Sequence, residues 1–553
     1  MKKDYKFFNK ITSYEEKKLI LDIEPLFEGI SFNCISDQIL SYTRWLGRRH
    51  ELSYSETWRF RFRSFEEDIP SGFDNFNTNQ YILLEKYHGI RMVKHDLTAP
   101  EEMYSLLEQE LCLNRPLMIF VDSFWLPWDV CYQINHTQGH FFWAVGYDKE
   151  DGEIYCSDGS SSAKGILPKE NYINGFKPTC YTFPVIGKDN SNKVDWRDII
   201  KSNLEELVND THDSFHEIVV FAQKLKEFVY QMNVENEKAC YDKLYDMCIG
   251  LDYASINRKL YAILLNYLAE QKNDLLDISQ EITMSAYKWA QTRHLVLKGL
   301  AAHNLKNVIE KIYIRITNIA AEEKRIANKL KELYQDADSI LSVKTDAEPA
   351  IGNAVSEKEF VQPIEIALYY NNKGLSYDFY KGSANLTGLG NYIQFEEHIG
   401  GRLITSNQMS FRLPIIADDK NDNISCLGQI IDIPRGKYIG IQLLGCADWG
   451  EHVENLILYY EDGKMDSITF GFADYYKFDT WNKTLNFNQK IVLRARPVEC
   501  KSGTARYMDR DANIYGSSFY FNRKGAFINR IKLPDCPNIH LFSLSLIMIL
   551  SDR

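Results

Sequence analysis

The sequence predicts an α+β multidomain protein: a mixed N-terminal domain, an α-helical bundle in the middle and an antiparallel β-sandwich at the C-terminal end. Three observations predict it. The 553 residues exceed the roughly 250 to 300 at which a single hydrophobic core stops growing. Between Pro184 and Pro349 there is no proline, and only Gly187, Gly250 and Gly299 interrupt as glycines, the composition of long helices. From about residue 355 the pattern changes to short alternating apolar runs parted by turn residues, as in a sandwich. The expected domains are 1–187, 188–348 and 355–553.

In the first domain, "ISDQILSYTRWLG" carries Ile35, Ile39, Tyr42 and Leu46 at helical spacing, with Gly47 as a stop. Residues 80–94 read as a helix running into a short strand, 100–112 as an amphipathic helix, and "RPLMIFVD" as a buried strand. "HFFWAVGYD" and "GEIYCSD" flank the turn "KEDG" and form a hairpin. In the middle, Ile218, Phe221, Ala222, Leu225, Phe228 and Val229 recur at helical spacing, as do Leu305, Val308, Ile312, Ile316, Ile319 and Ile326. These stripes predict an antiparallel bundle. The sandwich strands are "IEIALYY", "MSFRLPII", "YIGIQLLG", "VENLILYY", "SITFGFA", "KIVLRARP" and "SFYFNR", and Asp462-Gly463 is a two-residue hairpin signal.

Composition excludes several classes. A formal charge of −12 argues against general nucleic-acid binding, which needs a basic face. The N-terminal stretch has scattered charges and no apolar secretory core, and the run "LFSLSLIMIL" is about half the length of a membrane-spanning helix. A cytoplasmic protein without membrane contact is therefore expected. The 11 cysteines form no CxxC pair, so neither a disulfide framework nor a metal site is predicted, and no bound cofactor.

Cys34 stands where a helix begins, and the positive end of a helix dipole favours a thiolate. His140 opens the strand "HFFWAVGYD" after Gly139, and Asp158 closes "GEIYCSD" before Gly159. Neighbouring antiparallel strands can present an imidazole and a carboxylate at one edge, the carboxylate orienting the base that deprotonates the thiol.

"FNCISDQILSYTRWLG", "RPLMIFVDSFWLPW" and "GHFFWAVGYDKEDGEIYCSDG" resemble, in order and spacing, the N-terminal domain of the butirosin-biosynthesis protein H family. The resemblance covers about residues 25–185, and the helical region looks like the domain that commonly follows. It implies a papain-like domain related to C39-type leader peptidases, with Cys34 as nucleophile, His140 as base and acid, and Asp158 as orienting carboxylate. It implies acyl transfer in natural-product assembly, from an acyl or peptidyl carrier protein whose phosphopantetheine arm presents the thioester, to an amine on an acceptor or within the chain itself. Asp122, Pro127 and Trp128 in "VDSFWLPW" match a motif read as structural or substrate-positioning. Related leader peptidases place an oxyanion-donating glutamine six residues before the cysteine. Here that position is Glu28, so Asn33 or Gln138 become the candidate donors beside the Cys34 amide.

Arg44, Arg48, Arg49, Arg59, Arg61 and Arg63 fall within 20 residues. They either engage an acidic carrier protein or its phosphate, or pair with the protein's own carboxylates. In "WRFRFR" alternation sends Trp58, Phe60 and Phe62 to one side and the arginines to the other. The sandwich resembles carbohydrate-binding modules in a general way only, so a jelly-roll or module-like domain is expected, with Trp449 and Trp481 as candidates for a sugar platform. The alternatives to acyl transfer are a hydrolase of the same fold (peptidase, amidase or thioesterase) and a non-catalytic scaffold. Any of these is compatible with an oligomer.

Overall fold

The computed structural model describes residues 20–26, 34–62, 80–233, 237–336, 359–379, 384–476, 489–501, 504–508, 510–523 and 526–549. By contacts it divides into two compact units. One comprises Met1–Lys224, Ile249–Ala286 and Ile316–Ile340, the other Leu225–Cys248, Tyr287–Arg315 and Leu341–Arg553.

The first unit begins with α1 (Cys34–Trp45), α2 (Gln80–His88), β1 (Val93–Asp96), α3 (Pro100–Cys112) and β2 (Leu117–Val121). It continues with β3 (His140–Tyr147), β4 (Ile154–Asp158), β5 (Ala163–Leu167), α4 (Lys169–Gly175) and β6 (Phe176–Thr182). The six strands form one sheet in the order β1-β6-β2-β3-β4-β5, antiparallel throughout. β2 is nearly all buried because α1 and α3 supply apolar residues to the same core, where Ile39, Tyr42, Met103, Leu107, Ile119 and Trp143 meet. The register fixes the site. β3 runs antiparallel to β4 with Trp143 opposite Ser157, so the start of β3 lies beside the end of β4.

α5 (Trp196–Leu207) and α6 (Ser214–Gln231) lead into three long helices, α7 (Glu237–Leu268), α8 (Leu275–Ala301) and α9 (Leu305–Asp336). Within the first unit these bury an ion pair. Arg258 Nε and Nη2 donate to the Glu323 carboxylate at 2.9 and 2.8 Å, and Ser285 Oγ at 2.6 Å. Trp58 Nε1 also donates to Glu323, at 3.1 Å, which anchors the "WRFRFR" segment. Trp58 and Phe60 are buried and Phe62 packs on Phe221 at 5.1 Å, the aromatic side that alternation predicts.

The second unit carries a sandwich-like assembly of mostly antiparallel strands. Its spine is the strand Ile430–Ala447, longer than the "YIGIQLLG" run suggests. Its first part pairs with Phe527–Lys532 and its second part with Ala512–Tyr520 and Asp535–Ile549. The register shifts between Asp432 and Gly436, around Pro434, which has no N–H to offer a ladder. Two details differ from expectation. "IEIALYY" is not a strand throughout: pairing ends at Ile364 and residues 367–369 form a 3₁₀ turn, with Glu365 accepting from the Ala367 N–H at 3.1 Å. The 462–463 hairpin has a three-residue loop. Tyr460 N–H bonds the Lys464 carbonyl, and Gly463 takes φ +79°, a type I turn closed by a left-handed glycine.

Candidate active site

α1 ends at a left-handed Gly47 (φ +64°), with the Arg48 N–H returning to the Thr43 carbonyl at 2.8 Å. Its N-terminal residue is Cys34, half-buried against the sheet core. The four amides of the first turn have no acceptor within the helix, so this end favours negative charge.

His140 follows Gly139, whose φ is +131° and whose Cα lies so close to the Phe120 ring that a Cβ would approach it to 2.5 Å. A similar constraint acts after Asp158. A Cβ on Gly159 would meet the Asp37 carbonyl oxygen at 2.7 Å. Each of the two polar residues thus borders a glycine that lets backbone approach closely.

His140 Nε2 donates to Asp158 Oδ2 at 2.9 Å. The Cys34 thiol is also a hydrogen-bond partner of this ring, and with Nε2 committed to the carboxylate, Nδ1 is the nitrogen available to it. Burial pushes the His140 ring toward neutrality, but the Asp158 charge and hydrogen bond, and then the thiol, together hold it well above the ordinary histidine value. Asp158 is fully buried. Burial alone would raise it, yet the His140 charge and hydrogen bond, with donations from Ser161 and Trp128, keep it below the usual carboxylate range. Ser161 Oγ donates at 2.7 Å, Trp128 Nε1 at 3.0 Å and Gln38 Nε2 at 3.0 Å. Burial pushes the Cys156 thiol well up and raises Cys180 to about 12.

Trp128 thus touches the orienting carboxylate. Its indole lies against Gly165, where a Cβ would come within 2.5 Å. Asp122 does another job. Its carboxylate accepts from the Thr137 N–H at 2.9 Å, the Phe124 N–H at 3.1 Å and His136 Nδ1 at 2.8 Å. It therefore ties both ends of the loop that leads to His140, and these donors hold it below its ordinary value against the effect of burial. Gln138 is exposed in that loop, while Asn33 and Glu28 lie outside the described residues.

The arginines are engaged by the protein itself. Arg44 and Arg49 reach Glu51, at 3.9 and 3.0 Å. Arg49 also bonds Glu270 and covers the Tyr267 ring at 4.5 Å. Arg48 donates to the carbonyls of His88 and Gly187. Arg59 and Arg61 share Glu206 at 4.0 Å, and Arg63 lies outside the described residues. Of the sugar-platform candidates, Trp449 is part-buried at φ +58° with a buried indole nitrogen, and Trp481 lies outside the described residues.

Residues 51–159 match the family model "Butirosin biosynthesis protein H, N-terminal". This part of the chain is similar to the butirosin biosynthesis protein H family. The match to this H-type domain takes in His140 and Asp158 and starts after Cys34. Residues 361–548 match the AziU2-like beta-sandwich domain. The two likenesses suggest a natural-product biosynthesis family. No curated protein matches the sequence. Among solved structures, a family GH115 4-O-methyl-alpha-glucuronidase, BtGH115A, with specificity for decorated arabinogalactans, aligns over 66% of this chain and 43% of that one. The alignment has 9% identity and a TM-score of 0.13. Among the described residues, no cluster of three or more His, Cys, Asp or Glu could hold a metal, and no helix is long and apolar enough to cross a membrane.

Proposed function

We propose that this protein is a cysteine acyltransferase or cyclase of natural-product assembly, working through a Cys34-His140-Asp158 triad on a papain-like N-terminal domain. The observation that carries the reading is the arrangement of His140. One face bonds a buried carboxylate, the other meets a thiol at a helix N-terminus, and the ring is held toward its protonated form.

In the first half-reaction His140 takes the thiol proton and Cys34 Sγ attacks the carbonyl carbon of a carrier-bound thioester. The tetrahedral intermediate collapses by breaking the bond to the pantetheine sulfur, which leaves with the proton from His140. In the second, an amine attacks the Cys34 thioester, His140 receives the amine proton, and the amide departs as the thiol is re-formed. Asp158 stays ionised and stabilises the imidazolium. The carrier-protein partner rests on the family likeness, and the substrate arrives on its phosphopantetheine arm. Among the described arginines of this group, Arg44 and Arg61, 43% and 37% exposed, retain the most surface for its acidic face.

Intact mass spectrometry after incubation with an acylated carrier protein tests this. The wild type should gain the acyl mass and Cys34→Ala should not. A gain in neither sinks acyl transfer for that donor, and a gain in both places the acyl group elsewhere.

A further inference from the structure

Gln38 lies one turn after Cys34 on α1 and is fully buried. The i, i+4 spacing puts the two side chains on one helix face. Its amide is used on every side. Nε2 donates to Asp158 Oδ1 at 3.0 Å and to the Phe141 carbonyl at 3.2 Å, and Oε1 accepts from the Gly159 N–H at 2.9 Å. The opposite amide orientation would set an oxygen against a carboxylate and a carbonyl, and an NH₂ against an N–H, so only this one satisfies the network. The Gln38 backbone carbonyl accepts from Trp143 Nε1 at 2.8 Å.

These bonds reach the residue after His140, and Asp158 with the residue after it. The helix that bears the thiol is thereby joined to both strands that bear its partners. The two oxygens of Asp158 also divide the work. Oδ2 serves His140, Trp128 and Ser161. Gln38 is, among the described residues, the only side chain donating to Oδ1, beside a longer 3.4 Å approach from the Ser161 N–H.

We propose that Gln38 is a positioning residue that sets the alignment and charge state of the Cys34-His140-Asp158 site by clamping the nucleophile helix to Asp158 Oδ1 and to the start of β3. The inference rests on the acyl-transfer reading of that site. It adds a glutamine that needs no substrate contact and is distinct from an oxyanion donor, because its amide is already consumed.

The test is the pH profile of Cys34 alkylation by iodoacetamide in the full-length protein, read peptide by peptide against the exposed Cys112. It needs no knowledge of the acyl donor. Gln38→Met should lower the melting transition, because it leaves Asp158 Oδ1 and the Gly159 N–H without a partner, and in the folded protein should move the Cys34 profile by about one pH unit, a tenfold change in reactive thiolate at a given pH. Gln38→Glu, of nearly the same shape, should recover wild-type behaviour only at acid pH, where its protonated carboxyl can again donate to Asp158. It also carries the test if the methionine variant does not fold. A wild-type profile in both folded variants overturns the proposal and leaves acyl transfer standing. If wild-type Cys34 reacts no faster than Cys112 at pH 7, the underlying reading fails and takes this proposal with it.

Discussion

Asp158 is a buried carboxylate with four side-chain donors around it: His140, Trp128, Ser161 and Gln38. Such a group costs stability when its partners are removed and gives its field to whichever partner can carry charge. Asp158→Asn should therefore lower the rate of acyl-enzyme formation by about three to four orders of magnitude, with the protein still folded. The sign for stability follows from His140. Its native value is raised, so its contribution is full below the unfolded value of about 6.5 and is lost as pH rises through the native one. The stability gap between wild type and Asp158→Asn, measured by thermal unfolding, should accordingly narrow as the buffer is made alkaline. Gly159→Ala offers a purely steric counterpart. Its Cβ would drive into the Asp37 backbone, so Cys34 alkylation should fall although no polar group is lost.

At the scale of elements, the Arg258-Glu323 pair joins α7 to α9, and Ser285 and Trp58 close its remaining bonds. Removing one partner of a buried pair leaves an unpaired charge, at a cost of about 3–5 kcal/mol. Glu323→Ala should lower the first thermal transition markedly, and hydrogen exchange should rise around Trp58 as well as in the helices. Exchange confined to α9 would count against the anchoring of the "WRFRFR" segment. The arginines of that segment make a contrasting case. Because Arg59 and Arg61 already share Glu206, Glu substitutions at Arg59, Arg61 and Arg63 should weaken carrier binding in a salt-sensitive way only if those pairs open. Unchanged affinity across ionic strengths assigns them to internal pairing.

Over the whole molecule, one buried group in each compact unit carries proton linkage of opposite sign. In the first, burial lowers His50 to about 4 against the pull of Glu51. A depressed histidine contributes stability above about pH 6.5 that is lost as pH falls through its native value. In the second, burial raises Asp474 to about 7, although the Gly450 and Tyr476 amides donate to it. A raised carboxylate contributes stability below its unfolded value, near 4, that is lost as pH rises to about 7. Peptide-resolved hydrogen exchange between pH 7 and pH 5 should show protection falling around His50 and rising around Asp474. Changes of the same sign around these two residues would contradict this.

The sequence by itself determined the elements whose signals are local. Gly47 stops α1 because a left-handed turn is needed there, 100–112 is helical because its apolar spacing is 3.6, and the Gly139-His140 and Asp158-Gly159 pairs were legible as the two ends of a hairpin. Cys34, His140 and Asp158 could be named because each sits at an element's end, where sequence punctuation is strongest. Only the tertiary structure decided what these ends face. Gln38 was hidden inside the helical stripe of Ile35, Ile39 and Tyr42, a polar residue whose purpose exists only once β4 supplies a carboxylate and an N–H. Trp128 reads as a positioning residue until Gly165 lets its indole lie down beside Asp158. Hydrogen bonds between residues more than a hundred positions apart leave no periodic trace in a sequence. The same elements recur in many proteins, and here it is the register of β3 on β4 and the seating of α1 that bring an acid, a base and a thiol together.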